Sequence, residues 1–343
     1  MANAFITGVS GETLTPAEAA FLKSAAPAGL ILFGRNCISH EQIRRLVGDA
    51  REAQGSDDFL VLIDQEGGRV QRLRPPLGRA LPAADAYARL YAEDAAIAKD
   101  AAFLAARLLA DDLKALGINT DCAPVLDVPV AGAHDIIGDR AYGREPVQVA
   151  ALARAVAEGF MAGGVLPVIK HIPGHGRATA DSHLELPVVG EPHALLSETD
   201  FAPFKALADM PAAMTAHVVF TAIDGQAPAS TSRWVTQDII RGEIGFDGLL
   251  MSDDLSMKAL TGTFAERTRA VLAAGSDLAL HCNGVLAEME EVAAATPPLA
   301  GEALRRFHAA LAVLKRCDSY DSARAETQLA LALGTGRRHA ESV

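Results

Sequence analysis

VLPVIKHIPGHGRATADSHLELP, residues 165–187, joins two kinds of sequence at a single point. Its first five residues are a continuous apolar run, which is how a strand buried on both faces reads. From Lys170 onward come three histidines, a lysine and an aspartate, set among glycines and proline that exclude regular structure. A buried strand delivering a long polar loop at its C-terminal end describes a functional loop on the rim of a barrel. Working outward, similar apolar runs occur as AFIT at 4–7, GLILF at 29–33, FLVLI at 59–63 and INTDC at 118–122. They continue as AAMTA at 212–216, GLLM at 248–251 and DLAL at 277–280. Helical patterns cover 16–25, 40–53, 94–116, 147–162 and 267–274, the first opened by a Thr-Pro pair that suits an N-cap and first helical position. The Ala-rich pattern from residue 94 predicts close packing against the sheet. Strand–helix alternation calls for a parallel sheet with right-handed crossovers, and eight repeats predict a single-domain (β/α)8 TIM-type barrel. A doubly wound open sheet has the same periodicity and competes with it. The whole chain, 1–343, reads as one catalytic domain, with a C-terminal helix and a frayed tail after about residue 317.

Composition sets the outer bounds. Of 343 residues, 50% are hydrophobic and 22% charged, enough apolar material for a large core. Lys and Arg number 31 against 43 Asp and Glu, a net charge of −12, which argues against nucleic-acid and anionic-membrane partners. No run of ~18 apolar residues suggests a membrane span. The first basic residue is Lys23, so the opening residues lack the n-region of a signal peptide. Cys37, Cys122, Cys282 and Cys317 form no CxxC pair and read as reduced thiols of a cytoplasmic protein.

Chemistry-bearing residues follow the strands directly: Asp64, Lys170-His171, His217, Asp253-Asp254 and His281. Any one of them reads equally well as a cap or a loop acceptor. In a parallel barrel, however, all five positions fall on one rim and converge. Within the long loop, Asp181-Ser182-His183 sets a carboxylate two residues before an imidazole. The pair can fix the ring tautomer and leave the other nitrogen free to exchange protons, with the histidine pKa expected to rise. A metal site on His171, His175 and His183 competes, though it lacks HExxH spacing and a second ligand cluster. Gly174-His175-Gly176 matches only part of a dinucleotide fingerprint. The proton-transfer dyad is the favoured reading, with no metal and no cofactor expected.

KHIPGHG…DSHLELP, with IDQEGGRVQRL (63–73), GDRAYG (138–143), AHVVFTAIDGQAPASTS (216–232) and LLMSDDLSM (249–257), resembles the family 3 β-N-acetylglucosaminidases. It is more closely similar to the single-domain cytoplasmic enzymes of Gram-negative peptidoglycan recycling, over about residues 1–315. The resemblance implies Asp253 as catalytic nucleophile, with Asp254 supporting it, and His183 as general acid/base with Asp181 as its partner. It implies Asp64, Arg72, Arg140, Lys170 and His171 as substrate-binding residues, with Lys170 and His171 donating to sugar hydroxyls. Arg72 has an alternative as a surface arginine, Glu66 with Arg69 reads as an exposed ion pair, and His217 as a satisfied strand-end histidine. The implied activity is retaining exo-hydrolysis of terminal N-acetylglucosamine from peptidoglycan-derived (1,6-anhydro)muropeptides through a covalent glycosyl-enzyme. The glycines of the 174–182 loop predict a hinge that brings His183 inward. A phosphorylase, another β-glycosidase and an inactive sugar-binding barrel are the rivals.

Overall fold

The computed structural model describes residues 2–334 except Thr179, Asp181, His183 and Leu184. In chain order its elements are β1 (Asn3–Thr7), α1 (Pro16–Ala25), β2 (Pro27–Leu32), α2 (His40–Gln54), β3 (Leu60–Ile63) and the hairpin β4 (Gln65–Gly67) and β5 (Val70–Gln71). There follow α3 (Ala84–Glu93), α4 (Ala95–Ala115), β6 (Thr120–Asp121), α5 (Pro146–Ala162), β7 (Leu166–Pro167), β8 (Ile169–Ile172) and β9 (Val188–Val189). Next are α6 (His193–Glu198), α7 (Ala202–Ala206), β10 (Ala212–Thr215), β11 (Val219–Phe220), a wide helical segment (Val235–Glu243) and β12 (Leu249–Asp254). The chain then runs through α8 (Phe264–Ala274), β13 (Leu278–His281), α9 (Leu286–Ala294), α10 (Gly301–Leu311) and α11 (Ser322–Ala332).

The main sheet is parallel throughout, in the order β7-β6-β3-β2-β1-β13-β12-β10-β8. Its two ends, β7 and β8, are pieces of one stretch interrupted only at Val168. Since β7 pairs with β6 and β8 with β10, eight staves form a ring and the open-sheet alternative falls. Backbone bonds knit the seam: Val168 N donates to Asp121 O at 2.9 Å, and Leu126 N to Lys170 O at 2.7 Å. The stretch read at 165–169 therefore closes the barrel.

Both faces of the ring are buried, which explains the continuous apolar runs. Leu60 and Leu62 join Ile6, Met251 and Leu278 in the barrel interior, while Val61 and Ile63 join the core beneath the helices. Phe307 and Leu311 of α10 plug the far end of the interior. The Thr15 side chain accepts from Glu18 N in a capping box, with Pro16 opening α1 as expected. The Ala-rich α4 packs so closely on α5 that a Cβ at Gly159 would strike the Phe103 carbonyl. The helical patterns missed α3, α6, α7, the segment Val235–Glu243, α9 and α10; α3 buries only Ala84 and Tyr87 and so carries a thin apolar stripe. The C-terminal helix is present as α11, seated on α4 by Ala325 and Leu329. Tyr320 before it donates to Asp111 at 2.8 Å. Residues 335–343, the expected frayed end, lie outside the described residues. Among the described residues no helix is long and apolar enough to cross a membrane.

Candidate active site

The C-terminal rim of the barrel encloses a cavity of about 330 Å³, whose floor is the last interior layer of side chains, Ile31, Met214 and Leu280. That size falls in the range of small-molecule sites, ~300–1,000 Å³. Asp64, Arg72, Arg140, Lys170, His171, Asp253 and Asp254 all line it. Of the five strand-end positions, Asp64, Lys170-His171 and Asp253-Asp254 therefore converge on the cavity, joined by Arg72 after the β4–β5 hairpin and Arg140 from the 138–140 turn, while His217 and His281 do not line it.

One wall is an ionic cluster. Lys170 Nζ lies 2.9 Å from Asp64 Oδ1 and 2.7 Å from Glu66 Oε1. Arg72 donates to Asp64 Oδ2 at 2.9 Å, and Arg140 grips Glu66 with two bonds of 2.8 Å. Burial pushes the Asp64 carboxyl up, but Lys170 and Arg72 overcome this and hold it well below the carboxylate range. Burial likewise raises Glu66, and Lys170 with Arg140 outweighs it, leaving its pKa at about 2. Burial acts against the Lys170 ammonium, and Asp64 and Glu66 more than restore it. The expected exposed pair of Glu66 and Arg69 is corrected here. Glu66 is buried among Lys170 and Arg140, while Arg69 lies 2.8 Å from Asp139. The reason is the β4–β5 hairpin, which turns residues 65–71 back over the barrel mouth and sends alternate side chains inward.

Gln65 holds that hairpin in shape. Its buried Oε1 accepts from Arg72 N at 2.8 Å and Leu73 N at 2.9 Å, and its Nε2 donates to Leu73 O at 2.9 Å. Arg72 is thereby fixed on the cavity rather than the outer surface, stacked 5.0 Å from the centre of the Phe33 ring.

Opposite the cluster stands Asp253, near the end of β12. Its Oδ1 accepts from Asp254 N at 2.8 Å, and its Oδ2 accepts no hydrogen bond among the described residues. Burial raises the Asp253 carboxyl; His217, His171, the Asp254 N–H and Lys170 together bring it below its ordinary value. Burial also pushes the His217 imidazole down, so its attraction fades as it loses its proton, leaving Lys170 and the N–H as lasting contributors. Asp254 supports the loop: its Oδ1 accepts from Ser256 N, Ser256 Oγ and Cys282 N at 2.7–3.1 Å.

His217 sits behind this pair with both nitrogens engaged, 2.6 Å from Ser230 Oγ and 3.0 Å from Asp254 O. It is the satisfied histidine that the strand-end reading allowed. His281 points away from the cavity, 3.0 Å from Glu288 and edge-on to Phe264. Asp181 and His183 lie outside the described residues.

Sequence reasoning misread Glu66 as an exposed ion-pair residue and passed over Gln65, Phe33 and Asp127. Asp127 is wholly buried and takes His171 Nδ1 at 2.7 Å. Its signal was an acid in the segment after the short strand β6, six residues past its end. Among the described residues no cluster of three His, Cys, Asp or Glu is arranged to hold a metal.

Known proteins resemble the chain over most of its length. The N-terminal domain of glycosyl hydrolase family 3 matches residues 8–307. A β-hexosaminidase of Bordetella avium is 36% identical over 326 residues, 93% of this chain and 91% of its own. One from Methylococcus capsulatus is 43% identical over 277 residues, 80% of each chain. Among solved structures, NagZ from Neisseria gonorrhoeae in complex with N-trifluoroacetyl-D-glucosamine superposes with a TM-score of 0.85 at 32% identity, covering 97% of this chain and 98% of that one.

Proposed function

The chain belongs to glycosyl hydrolase family 3, and from that premise we propose that it is a retaining exo-β-N-acetylglucosaminidase acting on peptidoglycan-derived (1,6-anhydro)muropeptides in the cytoplasm. It is a glycoside hydrolase of the β-hexosaminidase kind. The observation that carries the finer reading is Asp253: a half-buried carboxylate kept ionised, without an ion-pair partner among the described residues, facing the cavity that holds the Asp64–Lys170–Glu66–Arg140 cluster. The complex of the gonococcal relative with an N-acylated glucosamine supports an amino-sugar in this cavity.

In the reading, Asp253 attacks the anomeric carbon while His183 gives a proton to the departing oxygen, and a glycosyl ester forms. Water, losing its proton to His183, then displaces Asp253 and releases N-acetylglucosamine with the β configuration. Asp181 supports the imidazolium. Asp64, Arg72, Arg140, Lys170 and His171 bind the sugar, whose hydroxyls exchange with the ion pairs of the cluster wall.

The test uses a chromogenic N-acetyl-β-glucosaminide and the matching glucoside, each with and without phosphate, with the released sugar followed by NMR. Expected are a strong preference for the acetamido sugar, no phosphate requirement and β-anomer appearing first. Sugar 1-phosphate would establish the phosphorylase instead, α-anomer first would refute retention, and binding without turnover would leave an inactive barrel. An anhydromuropeptide disaccharide should be cleaved faster than chitobiose; the reverse order refutes the muropeptide assignment.

A further inference from the structure

Asp127 has no part in the roles above, yet it is wholly buried and both its oxygens are occupied. Oδ2 lies 2.7 Å from His171 Nδ1, and Oδ1 accepts from His175 N at 2.7 Å and His171 N at 3.3 Å. Burial pushes the Asp127 carboxyl up, and His171 and His175 bring it below its ordinary value, by their charge when protonated and by the His171 Nδ1 and His175 N–H bonds, which persist with neutral rings and hold Asp127 as an anion. An anion at 2.7 Å demands a proton on His171 Nδ1, because a ring lone pair there would face a carboxylate. The other nitrogen, Nε2, is then the one left for the cavity that His171 lines.

The same carboxylate grips the root of the long loop. A Cβ at Gly176 would strike the Val128 carbonyl, and Val130 N donates to Gly176 O at 3.3 Å. The 127–130 and 171–176 segments are thus stitched together along their length. His175 carries the connection onward, its Nε2 standing 3.2 Å from Ser182 Oγ, while Ala259 N donates to Ser182 O at 3.3 Å. Ser182 is the residue between Asp181 and His183.

We propose that Asp127 is a positioning residue for sugar recognition: it locks His171 in the Nδ1–H tautomer, so that the ring accepts a sugar hydroxyl at Nε2, and it holds the loop root through His175 N in the same grip. This rests on the amino-sugar reading and revises one part of it, since His171 then accepts where the sequence pattern suggested a donor. One carboxylate would set both the angle of a sugar-facing ring and the starting point of the loop that carries the acid/base pair. Second-sphere partners of ligating histidines fix tautomer and orientation in the same way.

The test is Asp127→Asn. The amide keeps an oxygen for the backbone donors but turns an N–H toward His171 Nδ1, which must then accept and shift the ring proton to Nε2. Histidine ¹⁵N–¹H correlation spectra of wild type and variant read the tautomer directly, and calorimetry with free N-acetylglucosamine reads affinity without turnover. The proposal expects Nδ1–H for His171 in the wild type and Nε2–H in the variant. It also expects sugar affinity about 10- to 100-fold weaker, the span of one hydrogen bond in a charged network, with KM rising in parallel. An Asp127→Asn protein with wild-type tautomer and affinity overturns it, as does one that loses only kcat. The wild-type spectrum needs no variant: a wild type that binds the sugar with the His171 proton on Nε2 overturns this proposal and leaves the amino-sugar reading standing. A wild type with the expected tautomer that binds no sugar overturns both.

Discussion

Replacing Glu66 by glutamine keeps the side chain's size and removes its charge from the centre of the ionic wall. The carboxylate takes two bonds from Arg140 and one contact from Lys170, with only 7% of its side chain exposed. Folding moves its pKa from 4.5 to about 2. That difference, at ~1.4 kcal/mol per pH unit, amounts to about 3 kcal/mol in favour of the folded state at neutral pH. Removing one partner of a buried pair costs a similar ~3–5 kcal/mol, because the other charges stay buried without it. The sign follows from the direction of the shift. A carboxyl with a depressed pKa stabilises the fold above its unfolded value and loses that contribution as pH falls through the folded value. Wild type and Glu66→Gln should therefore differ by about 3 kcal/mol at neutral pH, less below ~4.5, and hardly at all near ~2. Urea unfolding followed by circular dichroism, on both proteins at neutral and acid pH, gives the difference directly. A gap below ~1 kcal/mol at neutral pH, or one that does not narrow on acidification, refutes the account of Glu66 as a buried, paired anion.

Asp253→Asn should stay folded with kcat reduced by more than about 10³-fold, measured on an aryl N-acetylglucosaminide; substantial residual turnover would point to another nucleophile. Because Asp253 is held below its ordinary pKa, the acid limb of kcat/KM should lie below the usual ~3.9 of an aspartate, activity falling as protonation removes the nucleophile; a limb above that value contradicts the assignment. His183→Ala should cost ~10²–10⁴-fold on disaccharides but much less on aryl glycosides with good leaving groups, and equal losses on both count against an acid/base role. Gln65→Ala orphans the Arg72 and Leu73 N–H groups and should cost ~1–3 kcal/mol of stability while raising KM more than kcat; an unchanged KM would show that the hairpin needs no such clamp.

Most of the barrel can be read from the chain because each stave is buried on two faces. Runs such as LVLI at Leu60–Ile63 have nowhere to be except between an interior and a helix layer. What periodicity left open was closure, and that depended on one stretch, 165–172, supplying both edges of the sheet through β7 and β8. Asp64, Lys170, His171 and Asp253 were legible because they end strands, and strand ends share a rim. Glu66 was not, since its place is set by a two-strand hairpin whose alternation is too short to register as a pattern. Asp127 escaped for a related reason: it follows a strand whose ladder spans only Thr120–Asp121, so counting from the strand end did not reach it.

Burial alone does not decide which acids of this barrel carry charge. Asp121 is wholly buried and Asp253 half-buried, and burial raises both. Asp253 has the Asp254 N–H and the Lys170 ammonium to keep it an anion. Among the described residues Asp121 accepts one bond, from Gln65 N at 3.0 Å, and its Oδ2 has no partner, while Asp64 and Glu66 add repulsion that Lys170 does not cancel. Its pKa rises to about 8, so it is mostly protonated at neutral pH. The neutral acid can hold the Gln65 backbone without adding a further negative charge beneath a wall that already contains Asp64 and Glu66. Environments that drive two carboxyls apart in this way divide their tasks, one to carry negative charge and one to stay out of the charge balance. In this barrel that division leaves Lys170 free to act on Asp64, Glu66 and Asp253 rather than being drawn down toward Asp121.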